Sequence, residues 1–314
     1  MRSATAAFAA EGHGVSRMLD ATEVQRVLPP IIDVEFTAYC NLKCGYCFGP
    51  VDDRSVPNLP TTFWLQALGW LRQYNVEGIV VSGGEPTVHP DIVALLQHAK
   101  RLGLSIVLST HGRYTDRVLR CAPYTDWIAL PVDGVTPEML TEMRGSPWSL
   151  ADACELIPAI RAVNPAVRIK LGSVATRKNR HELPLLAEQL ILSNAPIDTW
   201  KVYQYTARRQ FKERAAEFHL SDEEYATVCQ AITSALPSVP PFTVVFSSNE
   251  SRRQAYVFVY PDGSVAIPNV GEDMSDILVG NLYAEGMAVL DRVRGVFLDN
   301  HLSNYQNTYG QGSA

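Results

Sequence analysis

From residue 31 onward the chain alternates short apolar runs with longer stretches of helical period, and it does so six times. The runs are IIDVEFT (31–37), GIVVS (78–82), LSIVLST (104–110), DWIALPVDG (126–134), RIKLGSVAT (168–176) and TWKVYQYT (199–206). Between them lie stretches such as TTFWLQALGWLRQYN (61–75), where Phe63, Leu65, Leu68 and Leu71 recur at roughly helical spacing. Short buried runs alternating with helices are the pattern of repeated βα units and a parallel sheet. The fold predicted is therefore α/β, with residues 29–206 forming a partial or open (β/α)6 barrel and ligands expected at the C-terminal ends of its strands. After residue 206 the period changes. SDEEYATVCQAITSAL reads as a helix with a Ser221–Glu224 capping box, and FTVVFSS and the hairpin AYVFVYPDGSVAIPN read as antiparallel strands. Residues 207–314 are expected to be a small α+β extension covering the barrel, and residues 1–28 a loosely ordered N-terminal extension.

Directly after the first run, TAYCNLKCGYCFGP (37–50) places Cys40, Cys44 and Cys47 within eight positions. A structural zinc site takes four ligands, often as two Cys-x-x-Cys knuckles, and no second knuckle exists here. Cys121, Cys154 and Cys229 stand singly. A disulfide framework is equally unneeded, because 314 residues can bury a sizeable core without staples. Three thiols fit an under-ligated [4Fe–4S] cluster, with three irons held by cysteine and the fourth left for a non-protein ligand. The net charge of −6 argues against a surface for nucleic-acid polymers. The alanine-rich start is broken by Glu11 and His13, and no apolar run approaches the ~20 residues that span a bilayer. A cytoplasmic protein without membrane partners is expected.

The Cys40-x-x-x-Cys44-x-x-Cys47 spacing, with Tyr46 before the last cysteine and SGGEP (82–86) closing the second strand, resembles the radical S-adenosylmethionine (SAM) superfamily. The resemblance implies the partial radical SAM barrel, one [4Fe–4S] cluster on the three cysteines, and SAM chelated to the open iron through its amino and carboxylate groups. It also implies cleavage of SAM to a 5′-deoxyadenosyl radical, with electrons from a donor such as flavodoxin or ferredoxin. In that reading Gly83 and Gly84 admit the methionine moiety where a Cβ would collide, and Glu85 receives its ammonium. Tyr46 lies beside the adenine. Ser109 is a further cofactor contact, whereas His111 stands where relatives carry asparagine. Asp133 and Ser173 look like contacts near the ribose, and Arg144 like an arginine near the SAM carboxylate.

The pattern sharpens toward viperin-like and nucleoside-antibiotic radical SAM enzymes without auxiliary clusters. IKLGSV (169–174) carries Lys170, and TWKVYQ (199–204) carries Lys201, at positions where viperin-like enzymes set lysines against substrate phosphates. The resemblance implies hydrogen abstraction from a small anionic metabolite, of nucleotide, nucleotide-sugar or nucleoside type, in specialised metabolism. Lys170, Lys201, Tyr203, Tyr260 and Arg208 are the expected catalytic and substrate-facing residues. The sequence departs from viperin at Gly172, where the family has asparagine, and around Tyr256 and Tyr260. Two other readings stay open: radical modification of a peptide or protein, and a non-enzymatic iron–sulfur or metal-binding protein, which leaves SGGEP unexplained.

Overall fold

The computed structural model describes residues 28–49, 58–207, 213–268, 276–293 and 308. The six expected strands form, as β1 (Ile31–Glu35), β2 (Gly78–Ser82), β3 (Ser105–Ser109), β4 (Trp127–Pro131), β5 (Arg168–Ala175) and β6 (Thr199–Gln204). They lie side by side in that order and all neighbours are parallel. Parallel neighbours need a crossover, and helices supply it. These are α1 (Thr61–Gln73), α2 (Ile92–Arg101), α3 (Thr115–Cys121), α4 (Pro137–Arg144), α5 (Leu150–Val163) and α6 (Leu183–Leu192). In α1 the buried residues are Phe63, Trp64, Ala67, Leu68 and Leu71, a stripe at three- and four-residue intervals that faces the sheet.

Strand alternation then sorts side chains between two environments. Ile32, Val34, Ile79, Val81, Ile169, Leu171, Trp200 and Val202 pack into the large core beneath the helices. Their neighbours Asp33, Glu35, Val80, Lys170, Gly172, Lys201 and Tyr203 turn to the other face and line a cavity. On the same face, Val107, Trp127 and Ala129 form a small separate apolar cluster with Val80 packed against it.

The segment after β6 begins with the short helix α7 (Ala215–Phe218) and continues with α8 (Asp222–Ala235), where the Ser221–Glu224 capping box is present. Next come β7 (Thr243–Ser247), the short helix α9 (Asn249–Arg252), β8 (Phe258–Val259), β9 (Ser264–Pro268) and β10 (Asp276–Asn281), followed by α10 (Leu282–Glu285) and α11 (Ala288–Val293). The expectation of antiparallel pairing holds for the hairpin of β8 and β9, which an unforeseen β10 extends antiparallel, but not for β7, which runs parallel to β6. The reason lies in the connection: a whole helix separates β6 from β7, making another βα unit, while only a tight turn at Pro261–Gly263 separates β8 from β9. β8 pairs with β1 in parallel, so the order is β10-β9-β8-β1-β2-β3-β4-β5-β6-β7. Among the described residues its outer strands do not pair with each other, and the sheet stays open as a partial barrel should.

Helix α4 was not foreseen. Thr136 caps it by accepting from the Met139 N–H, Pro137 starts it, and Gly145 ends it in the left-handed region at φ 67°. Arg144 is its last residue.

Candidate functional site

The chain leaves β1 through Phe36 and enters the cysteine loop. Cys40, Cys44 and Cys47 are all free thiols, and all line one cavity of about 350 Å³ at the C-terminal ends of the strands. The loop is tied locally: the Leu42 N–H donates to Cys40 Sγ at 3.3 Å, and the Cys47 N–H to the Cys44 carbonyl at 3.3 Å. Burial pushes the Cys40 thiol up to about 11, and burial likewise raises Cys44 and Cys47. Thiols so buried stay protonated unless a cation takes the proton's place. Among the described residues no three His, Cys, Asp or Glu side chains gather closely enough to hold a single metal ion. A cube of irons asks for something else, one thiolate per iron on separate corners, and three thiols opening on a shared cavity fit it. Tyr205 Oη, also on that wall and buried, has no hydrogen-bond partner among the described residues, leaving a polar atom for a bound group to meet.

The Gly-Gly-Glu turn at the end of β2 is laced to the cysteine loop. Gly84 N–H donates to Thr37 O at 2.9 Å and Glu85 N–H to Tyr39 O at 2.8 Å. Gly83 sits at φ +114°, and a Cβ on Gly84 would stand 2.1 Å from Tyr39 O. The glycines were expected to make room for a ligand; the first thing they make room for is the cysteine loop itself. Glu85, 1% exposed, was expected to receive an ammonium. Its Oε1 accepts from the Thr87 N–H and Oγ1 and from Thr110 Oγ1, and its Oε2 from the His111 N–H at 2.9 Å. A carboxylate has about four acceptor sites, so the capacity left for a ligand is on Oε2. Ser109 and His111 also line the cavity. His111 Nδ1 accepts from the Arg113 N–H at 3.0 Å, which assigns the proton to Nε2, the atom facing Asn41 Oδ1 at 2.9 Å.

Three further expected contacts meet in one node. Asp133 Oδ2 accepts from Tyr46 Oη at 2.5 Å and from Arg144 Nε at 2.6 Å, while Oδ1 accepts from the Val174 N–H at 2.7 Å. Tyr46 and Arg144 line the cavity, but Asp133 is fully buried behind it. Ser173 is also behind the wall: its hydroxyl donates to Val132 O and accepts from Trp200 Nε1 at 2.9 Å. The geometry sets both apart from the ribose contact expected of them, because their polar atoms are already engaged in joining β4, β5 and β6. Asp133 instead orients two residues that do face the cavity.

The far end of the cavity is cationic. Lys170 and Lys201, 6% and 3% exposed, reach it from β5 and β6, and Arg252 from α9. Lys201 Nζ donates to Thr308 Oγ1 at 2.7 Å, and Lys170 Nζ to Tyr203 Oη at 3.3 Å. Burial, then the like charges of Lys170 and Arg252, holds the Lys201 ammonium well below the usual lysine value, against the pull of Asp33. Tyr260 is not on this wall. Its hydroxyl donates to Asp276 Oδ2 at 2.7 Å within the hairpin, and Tyr256 stands on the wall instead. Arg208 lies outside the described residues.

Sequence reasoning missed Asp33, Glu35 and Arg252. The two acids left a signal, alternating with apolar residues in the short run IIDVE (31–35). Arg252 left none, since NESRR reads as an ordinary polar loop.

Residues 34–187 match the model of the Radical SAM superfamily. The S-adenosylmethionine-dependent nucleotide dehydratase of Lacinutrix mariniflava is 27% identical over 247 residues, covering 74% of this chain and 49% of its own. A PqqA peptide cyclase of Methylorubrum extorquens is 33% identical over 154 residues, covering 48% of this chain and 40% of its own. The chain thus spans about half the length of these relatives, or less. The crystal structure of Streptococcus suis SuiB bound to S-adenosylmethionine superposes with a TM-score of 0.63 at 16% identity, over 90% of this chain and 69% of that one. At that identity the likeness concerns the fold.

Proposed function

Because residues 34–187 are a radical SAM superfamily domain, we propose that the chain is an enzyme acting on a small anionic metabolite of nucleotide, nucleotide-sugar or nucleoside type. Cys40, Cys44 and Cys47 would hold one [4Fe–4S] cluster. Bound there and reduced by an external donor such as flavodoxin or ferredoxin, the cluster would supply the electron for reductive cleavage of SAM, and the 5′-deoxyadenosyl radical so released would be the oxidant that takes hydrogen from the substrate. The chain's own residues bind and orient. Gly83, Gly84 and Glu85 shape the wall beside the cysteines, and Ser109 and Arg144 offer polar atoms along it. Tyr46 presents its ring, its hydroxyl being held by Asp133. Tyr205 and Tyr256 help keep water from the space between the two ends.

The observation that carries the substrate reading is the pair of buried lysines on neighbouring strands, Lys170 and Lys201, opening on the same cavity as the cysteines. Two ammonium groups on one largely water-excluded wall attract an anion strongly, because the local dielectric is low. The nucleotide dehydratase name of one relative agrees with it. A peptide substrate is the second reading, favoured by the relative named as a peptide cyclase.

The test is anaerobic incubation of the cluster-loaded protein with SAM, reductant and a panel of nucleotides, nucleotide sugars and nucleosides, scoring 5′-deoxyadenosine. An anionic member of the panel should stimulate its formation. Lys170→Ala with Lys201→Ala should abolish that stimulation and spare the slow cleavage that needs only cluster and SAM. Full stimulation in the double variant, or stimulation by peptides alone, would reject the nucleotide reading.

A further inference from the structure

Lys170 Nζ, Lys201 Nζ and the guanidinium carbon of Arg252 lie 6.0, 5.1 and 5.7 Å from the centre of one ring, that of Tyr203. The three cations come from three elements, β5, β6 and α9. Arg252 is 5% exposed and tightly held. Its Nη2 donates to Gln204 O, to Thr206 Oγ1 at 2.9 Å and to Asn249 Oδ1 at 2.6 Å, and its Nε to Ser248 O at 3.3 Å. A guanidinium anchored in this way is positioned before any ligand arrives, which removes much of the ordering cost of binding an anion.

Asp33 faces these cations from β1. It is 8% exposed, lines the cavity, and is electrostatically coupled to Lys201, Tyr203 and Tyr256. Glu35, two residues on, stands closer to the Gly-Gly turn: a Cβ on Gly83 would lie 3.1 Å from its own Cβ. The cavity therefore has two polarities in its deep half, three cations around Tyr203 and one carboxylate across from them.

We propose that the substrate bound here has two ends, an anionic group held by Lys170, Lys201 and Arg252 and a hydrogen-bond donor, either a hydroxyl pair or an amine, held by Asp33. This rests on the small-metabolite reading above and narrows it. Simple polyanions meet only half of the site, and Asp33 repels them. Phosphorylated sugars and nucleotides that carry free hydroxyl or amino groups meet both halves. Asp33 and Arg252 then determine specificity: Arg252 adds a charge-assisted contact to the anion, and Asp33 selects what the anion is attached to.

The experiment is anaerobic calorimetry on the full chain, cluster-loaded and saturated with SAM, using two kinds of probe: inorganic pyrophosphate and the four common ribonucleoside 5′-diphosphates. Arg252→Gln, which keeps an amide donor for its anchoring partners while losing the charge, should weaken both kinds by about 10-fold or more. Arg252→Lys should recover part of the loss. Asp33→Asn should split the probes, tightening pyrophosphate and weakening the best nucleoside diphosphate by about 5-fold. Unchanged SAM affinity identifies the variants that have folded, and Arg252→Lys carries the same comparison if Arg252→Gln does not fold. Pyrophosphate affinity unmoved by either Arg252 variant overturns the cation ring. Asp33→Asn shifting both probes in the same direction makes Asp33 a mere counter-charge for Lys201 and overturns the two-ended site. Both of those outcomes leave the small-metabolite reading standing. If the parent protein binds no phosphate probe at all, that reading falls and this one with it.

Discussion

At the residue scale the cysteines divide sharply. Cys40, Cys44 and Cys47 open on the cavity, whereas Cys121 belongs to the helical core and Cys154 and Cys229 pack against it. Alanine at any of the first three should abolish the iron–sulfur absorbance of reconstituted protein and its cleavage of SAM. Alanine at any of the other three should leave both intact, and loss of the chromophore in Cys229→Ala would refute the assignment. Glu85 calls for a different expectation from the one its motif supports. With four internal donors on its carboxylate, Glu85→Ala orphans the Thr87, Thr110 and His111 groups as well as thinning the ligand wall. Apo-protein should lose on the order of 3 kcal/mol in denaturant melts, beyond any weakening of SAM binding. Equal stability of the variant and the parent would show that these hydrogen bonds contribute nothing net.

At the scale of elements, the site is two loops docked on each other, the one after β1 and the one after β2. Gly84 is where they touch, with no space for a Cβ beside Tyr39 O. Gly84→Ala should therefore undock the cysteine loop, costing about 1–3 kcal/mol by overpacking and reducing iron incorporation even though no ligand is altered. Iron content at the parent level after reconstitution would show that the loop yields without harm. The motif Ser-Gly-Gly-Glu-Pro reads in sequence as a ligand site, but its mechanical role was not legible, because the partner carbonyls at residues 37 and 39 lie far from it in sequence. Helix α4 escaped notice for a related reason. Only eight residues long, it presents too few apolar positions for a clear period, and its start is secured from afar, by Glu182 Oε2 accepting from the Val135 and Thr136 N–H groups.

At the scale of the whole molecule, pH acts on the C-terminal edge of the sheet through two buried imidazoles. Burial lowers His89 and His111 below the ordinary value of 6.5, in His111 against the pull of Glu85. In each, Nδ1 accepts a backbone N–H, from Asp91 at 3.2 Å and Arg113 at 3.0 Å, so the folded chain wants the neutral ring. An unfolded chain takes up protons below about pH 6.5 that the folded one refuses, so this stability is present above that pH and is lost as pH falls. Unfolding free energies between about pH 7 and 5 should decline by up to ~1.4 kcal/mol per unit for each imidazole, and His89→Asn with His111→Asn should flatten the curve. A parent curve already flat over that range would contradict it. The six parallel strands β1 to β6, and the parity that puts Lys201 and Val202 on opposite faces of one strand, follow from local period and were readable along the chain. What only the tertiary structure decided is what meets across it. The curved, open sheet carries Asp33 from the first strand toward Lys201 on the sixth, seats Arg252 beside both lysines, draws Tyr256 rather than Tyr260 to the wall, and turns Asp133 and Ser173 inward to join strands. Those pairings depend on contacts between residues remote in sequence, and no local pattern of charge or hydrophobicity encodes them.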